Sequence, residues 1–358
     1  MSNESNKIVT IIGARPQFIK ASAVSREIYK HGLLDEILVH TGQHYDKNMS
    51  QIFFDQMDIP KPKHNLGIGG GLHGQNTGRM LEKLEELLIV EKPKAVMVYG
   101  DTDSTLAGAL AASKLHIPIV HVEAGLRSFN RKMPEEINRI LTDHVSDLLL
   151  APTETGCRNL KSEGVSEEKI KLVGDVMFDA ALFYRDLALP PDWFDALHLA
   201  ANDFVLCTIH RAENTDSLSR LGSIIEGLGR SGLTVILPLH PRTKKKLQEA
   251  GIGLPGNVIV RDPVGYLEMV WLEMNSALVV TDSGGVQKEA YFHGKPCVTL
   301  RDQTEWTELV TSSWNMLVGA DADLIGKTIQ NIKVPVEKPH FYGAGDASKK
   351  IVEILHAQ

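Results

Sequence analysis

Carboxylates, histidine, arginine and glycine turns recur along this chain where short apolar runs end. Asp101 follows Ala95–Gly100 (AVMVYG), Glu123 follows Ile117–Val122 (IPIVHV), and His210-Arg211 follows Phe204–Ile209 (FVLCTI). Lys7–Gly13 (KIVTIIG) leads into Ala14-Arg15-Pro16, and Ala277–Thr281 (ALVVT) into Asp282-Ser283-Gly284-Gly285. In an open parallel sheet, ligands bind beyond the carboxyl ends of the strands. Carboxylates confined in one such crevice have separated pKa values, so one can act as base and another as acid. The chain reads as an enzyme.

Each motif also has a plainer reading. In Thr281–Glu289 (TDSGGVQKE), Gly284 and Gly285 allow close backbone approach at a helix start. That suits a diphosphate, with Glu289 one turn on to accept hydrogen bonds from ribose hydroxyls. Otherwise the turn only caps a helix and Glu289 is solvated. Gly13–Lys20 (GARPQFIK) places Arg15 and Lys20 at another helix start, as a fork and a point charge for phosphate or as solvated cations. Asp101 precedes a helix and could serve as its N-cap. Glu135 and Arg139, spaced i,i+4 after Pro134, could form a surface pair. Glu123, inside His121–Arg127 (HVEAGLR), is less easily explained by capping. His210, followed by Arg211 and Glu213, is suited to protonate or hydrogen-bond a leaving phosphate, and His240-Pro241-Arg242 repeats the arrangement one strand later. Arg301 and Glu305 could close on a sugar, or begin a helix that sets Trp306 in an interdomain contact.

Strands and helices must hold these groups. Apolar runs at about 7–13, 36–40, 95–99, 117–122, 148–150 and 170–173 suit buried parallel strands, as do about 204–209, 233–237, 258–261, 277–281 and 297–299. Amphipathic stretches lie between them. In Thr77–Val90 the side chains Met80, Leu81, Leu84, Leu87 and Leu88 share one face. This alternation predicts α/β architecture: two Rossmann-like doubly wound domains, 1–185 and 200–335, facing across a cleft, then a tail helix within 336–358. The break is expected at Leu187–Asn202, where Pro190-Pro191 interrupts the alternation. Leu66–Gln75 (LGIGGGLHGQ) reads as a flexible loop with no long strand before it, not as a dinucleotide fingerprint.

Composition narrows the partners. A formal charge of -7 over 358 residues argues against nucleic acid. The three cysteines, Cys157, Cys207 and Cys297, fit neither a disulfide framework nor a zinc spacing, which points to a reducing cytoplasm and no metal site. No run approaches a membrane span, and the polar start MSNESNK is unlike a signal peptide.

In order, GARPQFIK, GDTDST, HVEAGLR, PEEINR, GDVMFDA, HRAEN, LPLHPR, TDSGGVQKEA and FYGAGDAS closely resemble the non-hydrolysing UDP-N-acetylglucosamine 2-epimerases, relatives of the two-domain GT-B glycosyltransferases. The resemblance spans nearly the whole chain. It implies that Arg15, Lys20, Ser283, Gly284, Gly285 and Glu289 hold UDP; Arg301, from its own motif, is the further substrate-binding candidate. It also implies that Asp101, Glu123, Glu135 and His210 surround the sugar, with Arg139 positioning a carboxylate. The implied chemistry removes the carbon 2 proton while UDP leaves carbon 1, then recombines 2-acetamidoglucal and UDP with the opposite stereochemistry. No cofactor is required, and a homodimer is implied. Ala14 and Gln17 stand where the family commonly has Thr and Glu. Tyr45-Asp46 replaces an Arg-containing stretch tied to activation by UDP-N-acetylglucosamine, and Trp306 replaces an Arg. These departures resemble the branch acting on UDP-2,3-diacetamido-2,3-dideoxyglucuronate and are expected to mark a changed sugar pocket. The alternatives are a UDP-N-acetylglucosamine/UDP-N-acetylmannosamine epimerase, a GT-B glycosyltransferase, or a silent nucleotide-sugar sensor.

Overall fold

Short strands buried on both faces alternate with amphipathic helices in the computed structural model, which describes residues 6–43 and 61–357, without the side chain of Arg15. His44, Tyr45 and Asp46 lie outside the described residues. The chain divides into two compact units, Met1–Ala180 with His340–Gln358, and Ala181–Pro339. The division falls inside the helix Val176–Arg185, ahead of the Pro190-Pro191 interruption.

In the first unit, β1 (Lys7–Ile12), β2 (Asp35–His40), β3 (His64–Asn65), β4 (Ala95–Tyr99), β5 (Ile119–Val122), β6 (Leu148–Ala151) and β7 (Ile170–Leu172) form a parallel sheet. Its order among the described residues is β3-β2-β1-β4-β5-β6-β7. The order reverses direction between β1 and β4, where doubly wound sheets open a ligand crevice. Val9, Ile11, Val96 and Val98 on one face and Ile8, Ile12 and Met97 on the other are fully buried, as runs covered by helices on both faces require. The register pairs Tyr99 with Val122, so Gly100-Asp101 and Glu123 leave the sheet side by side.

The second unit repeats the plan with β8 (Val205–Thr208), β9 (Val235–Pro238), β10 (Val258–Arg261), β11 (Leu278–Thr281), β12 (Cys297–Thr299) and β13 (Asn315–Leu317), ordered β10-β9-β8-β11-β12-β13. Thr281 pairs with Thr208, which brings Asp282 beside the backbone entering His210.

Two expectations need correction. The helix read as starting near Thr77 runs from His73 to Glu91, so it begins inside Leu66–Gln75. Its first turn is closed by Asn76 Oδ1 accepting from Gly71 N at 3.2 Å, with Met80, Leu84 and Leu88 buried as their spacing predicts. The last helix, Ala347–His356, is no detached tail, because it belongs to the first unit. Asp179 accepts from its first backbone N–H groups, Ala347 at 3.2 Å and Ser348 at 2.7 Å.

The turn after β5 depends on one glycine. Gly125 has φ +82°, and a Cβ there would lie 2.4 Å from the Gly156 carbonyl oxygen in the helix Glu154–Ser162. Backbone meets backbone here, so neither side can give cheaply. Gly125→Ala is expected to lower stability by about 1–3 kcal/mol. Urea unfolding checks this, and an unchanged midpoint would contradict it.

Candidate active site

At the crevice of the first sheet, local hydrogen bonds are satisfied before any ligand is considered. Gln17, 2% exposed, accepts from Gly13 N at 2.8 Å and Ala14 N at 2.9 Å. Its amide donates to Tyr99 O at 2.8 Å and Thr105 Oγ1 at 2.9 Å. Gln17 therefore staples the end of β1 to the end of β4. Ala14, beside it, is buried as well.

Asp101 is not an N-cap. Thr102 caps the helix Asp103–Lys114 by accepting from Thr105 N at 3.3 Å, which leaves the Asp101 side chain for another partner. That partner is Arg139, whose Nε and Nη2 lie 3.0 and 2.7 Å from Asp101 Oδ2. The Asp101 carboxylate remains 31% exposed, so it is held and still accessible. Arg139 also donates from Nη1 to Glu136 Oε2 at 2.8 Å. Burial alone would raise Glu136, but Ser128 N–H, Arg139 and the Ser128 hydroxyl outweigh it and hold the carboxyl below its ordinary value. Arg139 thus forms an i,i+3 pair with buried Glu136, not the surface pair with Glu135 that i,i+4 spacing allowed. Glu135 is exposed in the first turn of the helix Pro134–Val145.

Glu123 is 8% exposed and adopts φ +74°, unusual for a residue with a Cβ. Its carboxylate pairs with the Lys20 ammonium. Gly100, at φ +63°, lies against the pair: a Cβ there would come 3.2 Å from both Glu123 Oε2 and Lys20 Nζ. Lys20, expected beside a phosphate, here ties the first helix (Arg15–His31) to the end of β5. Asp101 and Glu123 are therefore neighbours beyond the carboxyl ends of two adjacent strands, each held by a cation.

The second unit builds a different site. Asp282, fully buried at the end of β11, accepts from His210 N at 3.1 Å, Arg211 N at 3.1 Å and Asn214 Nδ2 at 3.1 Å. His210 Nδ1 lies 3.2 Å from Asp282 Oδ1, while the ring is 59% exposed. Asp282 is the orienting group that sequence reasoning missed. Its only local sign was an acidic residue between a buried strand and a glycine pair. Ser283 caps the helix Gly284–Phe292, accepting from Val286 N at 3.4 Å, so the first N–H groups of Gly284 and Gly285 have no carbonyl of that helix to bond. Glu289, one turn on, accepts from Tyr266 Oη at 3.1 Å. Burial pushes the Tyr266 phenol well above its ordinary value, which keeps it a donor.

Arg301 is buried and donates from Nη1 to Glu305 Oε2 at 3.0 Å. A Cβ on Gly284 would lie 2.4 Å from Glu305 Oε1, so that carboxylate sits against the glycine turn. Trp306 is buried, donates from Nε1 to Gly284 O at 2.9 Å, and has the Lys288 ammonium 4.1 Å from its ring. It braces the glycine turn within its own unit. Among the described residues no three His, Cys, Asp or Glu side chains gather as a metal would need, and no helix is long and apolar enough to cross a membrane.

Comparison with known proteins identifies the family. The profile of the family described as UDP-N-acetylglucosamine 2-epimerase matches residues 26–356. A Pseudomonas aeruginosa protein named UDP-2,3-diacetamido-2,3-dideoxy-D-glucuronate 2-epimerase is 58% identical over 98% of this chain and 99% of its own. A Methanocaldococcus jannaschii UDP-N-acetylglucosamine 2-epimerase is 45% identical over 98% of each chain. The crystal structure of a UDP-GlcNAc 2-epimerase from that organism, in complex with UDP-GlcNAc and UDP, matches with TM-score 0.89 at 44% identity, covering 98% of this chain and 100% of the other. The two doubly wound α/β units expected from the sequence are the architecture these structures share. The chain belongs to the UDP-N-acetylglucosamine 2-epimerase family of isomerases.

Proposed function

We propose that the protein interconverts the carbon 2 epimers of a UDP-2-acetamido sugar, with UDP-2,3-diacetamido-2,3-dideoxy-D-glucuronate as substrate and its mannuronate isomer as product, for surface polysaccharide synthesis. The observation that carries this reading is 58% identity, over nearly the full length of both chains, to the Pseudomonas aeruginosa enzyme of that name. Family membership also supports the broader reading, a UDP-N-acetylglucosamine 2-epimerase. In the proposed roles, the Gly284-Gly285 helix start takes the diphosphate and Glu289 the ribose. Arg15 and Lys20 add positive charge.

The chemistry sets what the first unit must do. A base removes the carbon 2 proton, the C1–O bond breaks, and UDP leaves with its electron pair as the C1=C2 double bond forms. Reversal with protonation on the other face of carbon 2 gives the epimer. Inversion therefore needs two proton-transfer groups, one to each face. Asp101 and Glu123, on adjacent strand ends and each held by a cation, fit that need. Glu135, exposed one helix turn from Arg139, is the further carboxylate assigned to the sugar. His210, anchored through Nδ1 by Asp282, can present Nε2 to an oxygen of the leaving diphosphate. We further propose a cytoplasmic homodimer, which sedimentation velocity would test.

Incubation with each UDP-sugar in heavy water tests the reaction class. The epimer product is expected to carry deuterium at carbon 2 by NMR, without added acceptor or metal. Turnover that requires an acceptor and leaves carbon 2 protonated would favour a GT-B glycosyltransferase, and UDP binding without turnover would favour a sensor.

A further inference from the structure

We infer that Asp143, acting through His121, is a positioning residue that sets Asp101 and Glu123 against one another; the inference rests on the carbon 2 epimerase reading. Asp143 lies on the helix Pro134–Val145 and is 1% exposed. Its Oδ1 is 2.6 Å from His121 Nδ1, and its Oδ2 accepts from Gly125 N at 3.1 Å and Arg127 Nη1 at 2.7 Å. One buried carboxylate thus gathers the strand residue two before Glu123, the turn residue two after it, and the arginine beyond.

The other end of His121 reaches the second carboxylate. His121 is fully buried on β5, and its Nε2 is 2.8 Å from the carbonyl oxygen of Gly100, the residue before Asp101. Both ring nitrogens face oxygens, a carboxylate and a carbonyl, so the ring donates from both in this geometry. The resulting bridge runs Asp143–His121–Gly100 and fixes the backbone that enters Asp101. The same Asp143 fixes the turn that holds Glu123 at φ +74°. Arg127 closes the network through a two-bond fork to Glu163, with both contacts at 2.7 Å. Arg127 is therefore committed to Asp143 and Glu163, and is no free cation for a substrate carboxylate. Proton transfer to two faces of one carbon tolerates little misplacement: about 1 Å can cost 10²-fold.

The test uses the full chain with Asp143→Asn, which keeps the shape but exchanges one acceptor oxygen for a donor. The expected result is a kcat about 10²-fold lower, with KM and UDP affinity near wild type and a cooperative thermal melt. His121→Gln, a second variant that cuts the Gly100 link but leaves Asp143 on Arg127, should show the same kcat-only loss. Independently of turnover, ¹⁵N-resolved spectra of the wild-type protein should show protons on both His121 ring nitrogens. Wild-type kcat in either variant would overturn the inference, as would a kcat loss matched by lost UDP affinity or a bare ring nitrogen. If neither variant folds, Asp143 serves stability and the inference falls. A wild-type protein that epimerises no UDP-sugar, yet shows the doubly protonated ring, would instead fault the epimerase reading.

Discussion

Asp101→Asn and Glu123→Gln are each expected to lower turnover by about 10²–10⁴-fold, the usual contribution of a positioned acid or base, while UDP affinity stays near wild type. The separation follows from placement. Both carboxylates leave the first sheet at adjacent strand ends, whereas the helix start assigned to the diphosphate belongs to the second unit. Neither substitution should leave a cation wholly without an acceptor. Arg139 keeps Glu136 at 2.8 Å when Asp101 is changed, and Gln at 123 retains an oxygen for Lys20. A modest loss of stability is still expected for Glu123→Gln, because Lys20 is 8% exposed and a buried ammonium is poorly served by an amide. Single-turnover rates, UDP titration and a thermal melt on the same preparations separate the effects. Full turnover in either variant would remove that residue from proton transfer. A parallel loss of UDP affinity would mean that it serves binding.

The sequence was most readable where burial repeats locally. Runs such as Val9–Ile12 and Val205–Thr208 are apolar because both sheet faces are covered, so periodicity alone located them. β3 and β13 escaped because they are short end strands, His64-Asn65 and Asn315–Leu317, that are neither continuously apolar nor fully buried. The strand ends bearing Asp101, Glu123, His210 and Asp282 were visible for the same local reason. Partner choice was not. Whether Arg139 meets Glu135 or Glu136 depends on which helix face is buried, and its pairing with Asp101 depends on where β4 ends relative to a distant helix. Trp306 invited a functional reading because it replaced an arginine, but only the fold shows Lys288 over its ring and Gly284 O on its indole N–H. Asp143 gave no signal at all, since nothing near it in sequence shows that three donors from β5 and its turn converge on it.

The diacetamido-uronate is expected to be turned over with kcat/KM roughly 10²–10³-fold above that of UDP-N-acetylglucosamine, the scale of losing one partner of a desolvated charge pair, and UDP-N-acetylglucosamine should not activate. A substrate carboxylate needs a cation with hydrogen-bonding capacity to spare. Of Arg127, Arg211 and Arg301, which follow strand ends within site motifs, two are already committed: Arg127 to Asp143 and Glu163, and Arg301, buried, to Glu305. Arg211 differs. Its backbone N–H is held by Asp282 at 3.1 Å, which fixes where the side chain starts, and the guanidinium of this half-buried residue makes no hydrogen bond or ion pair among the described residues. A planar fork beside His210 is suited to grip a carboxylate through two parallel bonds. Arg211→Gln should therefore lower kcat/KM for the uronate by about 10²-fold and barely change it for UDP-N-acetylglucosamine, which bears no carboxylate. Competition between the two sugar nucleotides in one tube, with wild type and variant, yields the coupling between residue and carboxylate directly. Equal losses on both substrates would assign Arg211 to the diphosphate they share. A wild-type ratio favouring UDP-N-acetylglucosamine would refute uronate specificity while leaving the epimerase reading intact.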